Sequence, residues 1–129
     1  MARILIVDDE ELDRVLERSI LEDAGHELLF ASDGQAALQL YREEEVDLVI
    51  TDLAMPRING LRLIRMLLEE DPDARVIAVS GVSPEQLPTA EDLGARGTLF
   101  KPLDRDVLLD SVEAVLRGSE VSWEDMWGP

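Results

Sequence analysis

The sequence predicts an α/β domain built on a doubly wound, five-stranded parallel sheet. Three observations lead there: short apolar runs rich in branched residues recur along the chain, stretches of helical periodicity separate them, and each run gives way at its carboxyl end to polar residues. Continuous apolar runs suit strands covered on both faces. Their alternation with helices calls for right-handed crossovers and a parallel sheet wrapped on both sides.

In chain order, the first strand is Ile4-Leu5-Ile6-Val7, followed by a helix carrying Leu12, Val15, Leu16 and Ile20 at helical spacing. Leu28-Leu29-Phe30 forms the second strand. Ser32 with Gln35 fits a capping box ahead of a helix with Ala37, Leu40 and Tyr41. The third strand, Leu48-Val49-Ile50, precedes a helix with Leu61, Ile64 and Leu68. After the fourth strand, Val76-Ile77-Ala78-Val79, a second capping box pairs Ser83 with Gln86, and Pro84 stands where a first helical residue belongs. Thr98-Leu99-Phe100 is the fifth strand, and the fifth helix carries Leu108, Val112 and Val115. Residues 1–117 thus read as one domain and 118–129 as a C-terminal tail, helical or disordered. Its Trp123, Met126 and Trp127 are spaced to dock on the domain, on a partner or on a second copy.

Bulk properties narrow the function classes. A chain of 129 residues suits one domain with one proper core. With 29 acidic against 12 basic residues, a net charge of −17 and a pI near 4.2, the surface repels phosphate backbones and anionic lipid, so no direct nucleic-acid partner is expected. The absence of cysteine removes disulfide scaffolds, thiolate metal sites and cysteine nucleophiles together. Asp8, Asp9 and Glu10 cut short the first apolar run, and no stretch approaches the roughly 20 residues of a membrane span. A cytoplasmic protein is expected.

In an open parallel sheet, ligands bind outside the carboxyl ends of the strands. The residues there are Asp8 and Asp9 after the first run, Asp52 after the third, Ser80 and Gly81 after the fourth, and Lys101 and Pro102 after the fifth. Carboxylates gathered this closely resist ionising together unless a cation offsets them. Mg²⁺ is the natural one, because it takes oxygen ligands, keeps several waters and bridges carboxylates to phosphate oxygens. Asp52 can then act as a nucleophile towards phosphorus, giving an aspartyl phosphate, with Lys101 balancing charge on the transferring oxygens and the Ser80 hydroxyl donating to them. Taken singly, each feature has a plainer reading: Asp8 and Asp9 as helix caps, Asp52 as a strand-to-loop turn, Lys101-Pro102 as a helix entry. Their convergence on one edge, in order, favours chemistry. His26, the only histidine, reads as a loop residue.

Val7-Asp8-Asp9-Glu10, Asp52-Leu53-Ala54-Met55-Pro56 with Asn59-Gly60, Ser80-Gly81 and Lys101-Pro102 match in order and spacing the motifs of bacterial response-regulator receiver domains, the chemotaxis regulators among them. The chain resembles that family over about residues 2–117. The resemblance implies strand order 2-1-3-4-5, Asp52 as phosphoacceptor, and Mg²⁺ held directly by Asp9, Asp52 and the Ala54 backbone carbonyl, with Asp8 acting through water. It also implies phosphoryl contact by Lys101 and a cis bond to Pro102. A sensor histidine kinase or histidine phosphotransfer protein would be the donor, and a downstream protein the target, read out on the face of the fourth helix, fifth strand and fifth helix. Pairing of two copies on phosphorylation is left open.

One position departs from the pattern. Where receivers carry a Tyr or Phe that moves with the hydroxyl residue, this chain has Thr98, and Phe100 is expected on the other face and so not to replace it. Ala54 and Val82, at the positions that tune hydrolysis in relatives, offer no side chain to orient water, so a long-lived phosphorylated form is expected. Two rivals follow: a phosphorylation-independent interaction module, which Thr98 favours, and a turnover phosphatase. Ala54 stands where the phosphatase would need its general acid.

Overall fold

The computed structural model describes residues 1–55, 57–81 and 84–127, of which 126 and 127 are described as backbone alone. The apolar runs form β1 (Arg3–Val7), β2 (Glu27–Ala31), β3 (Leu48–Asp52), β4 (Val76–Ser80) and β5 (Gly97–Phe100). All neighbours pair in parallel, in the order β2-β1-β3-β4-β5. The crossovers carry α1 (Glu11–Asp23), α2 (Gly34–Glu43), α3 (Gly60–Glu70) and α4 (Leu87–Leu93), with a 3₁₀ turn (Pro84–Gln86) leading into α4, and α5 (Arg105–Leu116) follows β5. A sixth helix, α6 (Trp123–Trp127), lies in the tail.

Alternation along the strands divides the core into two layers. Leu5, Val7, Val49, Val76 and Ala78 pack under α2, α3 and α4, against Ala37, Leu63, Ile64, Leu67, Leu87 and Ala90. Ile4, Ile6, Leu48, Ile50, Ile77, Val79 and Leu99 pack on the other face, against Ile20 and Leu21 of α1 and Leu108, Val112 and Val115 of α5. This two-sided burial is why the strands read as unbroken apolar runs rather than alternating ones.

Local signals were less faithful. The Ser32–Gln35 capping box is not used: α2 is capped by Asp33, whose carboxylate accepts from the Ala36 amide at 2.8 Å. Ser83 lies outside the described residues, and Pro84 opens the 3₁₀ turn ahead of α4. In α1 the periodic stripe of Leu12, Val15 and Leu16 faces solvent, at 83, 56 and 45% exposure. The helix instead buries Glu17, Ile20 and Leu21. Its inward face is set by Asp13, which Lys101 holds at 2.6 Å.

The tail returns to the sheet. Val121 forms a parallel bridge with Gly97 on the outer edge of β5, and Trp123 packs against the α2–α4 layer. The side chains of Met126 and Trp127, the other two residues of the tail's apolar spacing, lie outside the described residues. Among the described residues no helix is long and apolar enough to cross a membrane.

Candidate functional site

Because every strand runs the same way, their carboxyl ends share one edge. Asp8 follows β1 and is buried, Asp9 beside it is exposed, and Asp52 ends β3 at 6% exposure. One carboxylate oxygen from each of the three lies within 4.8 Å of the others. Lys101, just past β5, reaches into the group: its Nζ donates to Asp13 Oδ2 at 2.6 Å, Asp8 Oδ2 at 3.1 Å and Asp52 Oδ2 at 3.2 Å. Asp9, Asp13, Asp52 and Lys101, together with Glu10, Ala54 and Gly81, line an open cleft of about 260 Å³.

Backbone geometry fixes the arrangement. Asp52 Oδ1 accepts from the Ala54 amide at 3.1 Å, which turns the loop after β3 across the carboxylate. That loop then passes so close to β3 that a Cβ on Gly60 would stand 2.2 Å from the Asp52 carbonyl, so only glycine fits there. Asn59 caps α3 by accepting from the Arg62 amide. Asp8 Oδ1 accepts from the Glu10 amide at 2.9 Å, and Arg14 donates to the Asp8 carbonyl at 2.6 Å. Neither Asp8 nor Asp9 is the N-cap of α1; that residue is Glu10, which makes no side-chain capping bond. On the far side, the Lys101 amide donates to the Ser80 carbonyl at 2.8 Å, and the Lys101–Pro102 peptide bond is cis.

The electrostatics follow from the crowding. Burial raises the Asp8 pKa above the ordinary carboxylate range, against the pull of the Glu10 amide and Lys101. Burial also works against the charge on Lys101, but Asp13, Asp52 and Asp8 overcome it and hold the ammonium well above its usual pKa. One turn beyond Asp13, Glu17 is 2% exposed, and its Oε2 finds no hydrogen-bond partner. Burial, then the nearby Asp8 charge, pushes Glu17 up to about 8.

Of the residues named from sequence, Asp8, Asp9, Asp52, Ala54 and Lys101 come together around the cleft, and Ser80 ends β4 on the same edge. Thr98 stands apart. It is fully buried within β5, its hydroxyl donating to Glu91 Oε1 at 2.8 Å and accepting from the Trp123 amide at 3.1 Å. The expected separation of Phe100 from Thr98 is wrong: residues two apart in a strand share a face, and Leu99 between them enters the opposite layer. Val82 lies outside the described residues. Sequence reasoning missed Asp13 and Glu17. Their signal is spacing, since Asp13, Glu17, Ile20 and Leu21 fall on one helix face, two acids in line with two core residues.

The profile of the response regulator receiver domain matches residues 4–113. The chain belongs to that family. The receiver is 38% identical over 122 residues to Protein PilH of Pseudomonas aeruginosa, covering 92% of this chain and 100% of that one. It is 37% identical over 118 residues to Protein CcdB of Bacillus subtilis, covering 90% and 98%. Among solved structures, a response regulator receiver domain protein from Clostridium thermocellum shares the receiver's fold with a TM-score of 0.87 at 29% identity, over 92% of this chain and 96% of that one. The response regulator TrrA of Thermotoga maritima, solved in complex with Mg²⁺-BeF, gives 0.83 at 31% identity, over 89% and 99%. Receivers are signalling switches of two-component systems, not turnover enzymes on external substrates.

Proposed function

We propose that this receiver is a phosphorylation-activated switch in which Asp52 accepts a phosphoryl group from a phosphohistidine donor. The observation that carries the reading is the convergence of the Asp8, Asp9 and Asp52 carboxylates within 4.8 Å, with one ammonium bonded to two of them. Hard oxygen donors this close fit a divalent cation of the Mg²⁺ class, held by Asp9, Asp52 and the Ala54 carbonyl, with Asp8 acting through water. Bound there, Mg²⁺ supplies positive charge to the carboxylates and to the phosphoryl oxygens.

The Asp52 carboxylate oxygen attacks phosphorus, the bond from phosphorus to the donor's imidazole nitrogen breaks, and the nitrogen keeps the electron pair. Lys101 shifts from Asp52 to an oxygen of the new group, and the Ser80 hydroxyl donates to another. Ala54 and Val82 offer no side chain that can orient an attacking water, so the phosphorylated form is long-lived; decay within seconds would contradict this. The donor is a sensor histidine kinase or a histidine phosphotransfer protein, and the altered surface is offered to a downstream protein. Incubation with Mg²⁺ and acetyl phosphate tests the reading: the chain gains the mass of one phosphoryl group, and Asp52→Asn gains none. An unmodified wild type, or equal gain by the variant, defeats it.

One observation favours a second reading, an interaction module that does not use phosphorylation: Thr98 is pinned between Glu91 and Trp123. Partner binding indifferent to beryllofluoride would select that reading.

A further inference from the structure

The tail is built into the edge of the sheet. Its Val121 amide donates to the Arg96 carbonyl at 2.9 Å, and its Val121 carbonyl accepts from the Thr98 amide at 3.0 Å. Glu91 Oε1 gathers two hydroxyl donors, Thr98 at 2.8 Å and Ser122 at 2.9 Å, and the Trp123 amide returns to the Thr98 hydroxyl. The Trp123 ring then sits 6.3 Å from the Phe100 ring, tilted by 54°. An edge strand offers unpaired main-chain groups to any extended segment, and the tail occupies that offer.

The same strand end carries the pocket's cation. Phe100 is the residue before Lys101 and the register partner of Ser80, whose carbonyl takes the Lys101 amide. The tail's aromatic contact is therefore one residue from the ammonium that Asp8, Asp13 and Asp52 hold. An anionic group on Asp52 would offer that ammonium new acceptors, and the backbone of Lys101 is tied to the end of β4 by the hydrogen bond from its amide to the Ser80 carbonyl.

We propose that the tail is a self-ligand of the β5–α4 edge, released when the Asp52 pocket is occupied. The uncovered edge then takes a protein segment of the same chemistry, an extended main chain followed by an aromatic ring. This rests on the pocket reading above and adds to it the element that answers the pocket. Coupling between two sites is reciprocal, so whatever loosens the tail tightens the pocket for its anion by the same factor.

The test uses the full chain, with beryllofluoride and Mg²⁺ as probe and amide hydrogen exchange at Thr98, Val121 and Trp123 as readout. Saturation with the probe speeds exchange at these amides roughly fivefold or more, while Leu5 and Ile50 in the central strands stay protected. Trp123→Ala, which removes a half-buried ring outside the central strands, binds beryllofluoride tighter by a similar factor. Unchanged or increased protection overturns the latch, as does wild-type affinity in Trp123→Ala. A chain that binds no beryllofluoride fails the pocket reading itself and the latch with it, whereas binding with unaltered protection defeats the latch alone.

Discussion

Lys101 bridges three carboxylates at once, and its side chain is only 15% exposed. Removing one partner from such a group leaves the others uncompensated, which is costlier than the group is stabilising. Lys101→Ala should therefore lower the stability of the metal-free protein by about 2 kcal/mol. Urea midpoints should show the loss shrinking in millimolar Mg²⁺, because an ion that binds only the folded state restores the missing charge by mass action. An equal loss with and without Mg²⁺ would mean the acids are not a cation site. Glu17 gives a separate check. Its folded pKa of about 8 lies above the 4.5 of a glutamate in the unfolded chain, so the folded chain holds a proton that the unfolded chain has lost between these values. Stability from this group is full at pH 4 and drains away as pH rises to about 8, since there the unfolded state binds fewer protons. Glu17→Gln stays neutral throughout, so at pH 8 it should be more stable than metal-free wild type by about 4 kcal/mol, a gap that shrinks to about 1 kcal/mol by pH 5. A constant difference across denaturation curves in that range would show Glu17 to be ordinary.

Among the elements, α1 shows where sequence and structure part. Strands were legible because both faces are covered, so each apolar run marks its own position. The orientation of α1 was not legible, because two patterns compete on it. Leu12, Val15 and Leu16 make the stronger apolar stripe, yet Asp13 and Glu17 face inward, and the ammonium that draws Asp13 sits far along the chain at Lys101. Acids in a first helical turn ordinarily serve the dipole, so nothing marked Asp13 as different. The exposed stripe lies on the helix that supplies Asp13, so under the phosphotransfer reading it is a surface for the protein donor. Replacing Leu12 and Leu16 together by Ser should leave the urea midpoint within about 0.5 kcal/mol of wild type and the acetyl phosphate reaction unchanged. Transfer from a phosphohistidine protein should slow roughly tenfold, a loss of about 1.4 kcal/mol. Equal slowing with both donors would place the effect in the pocket rather than in docking.

Across the whole molecule, a single parallel sheet gathers residues separated by more than ninety positions, as the Asp8–Lys101 contact shows. That gathering was legible, since a carboxyl-edge rule applied to five runs selects very few residues. The tail was not, because its docking depends on Thr98 and Glu91 meeting across β5 and α4, a tertiary contact with no local signature. With a net charge of −17, the molecule attracts cations and repels other polyanions. The central claim concerns one side chain, and chemistry can mark it. An acyl phosphate is reduced by borohydride to an alcohol, so treatment after reaction with Mg²⁺ and acetyl phosphate should convert Asp52 to homoserine, found by sequencing the peptide in a mass spectrometer, and should convert nothing when Mg²⁺ is withheld. Conversion at Asp8 or Asp9 instead, or at no residue, would contradict the account.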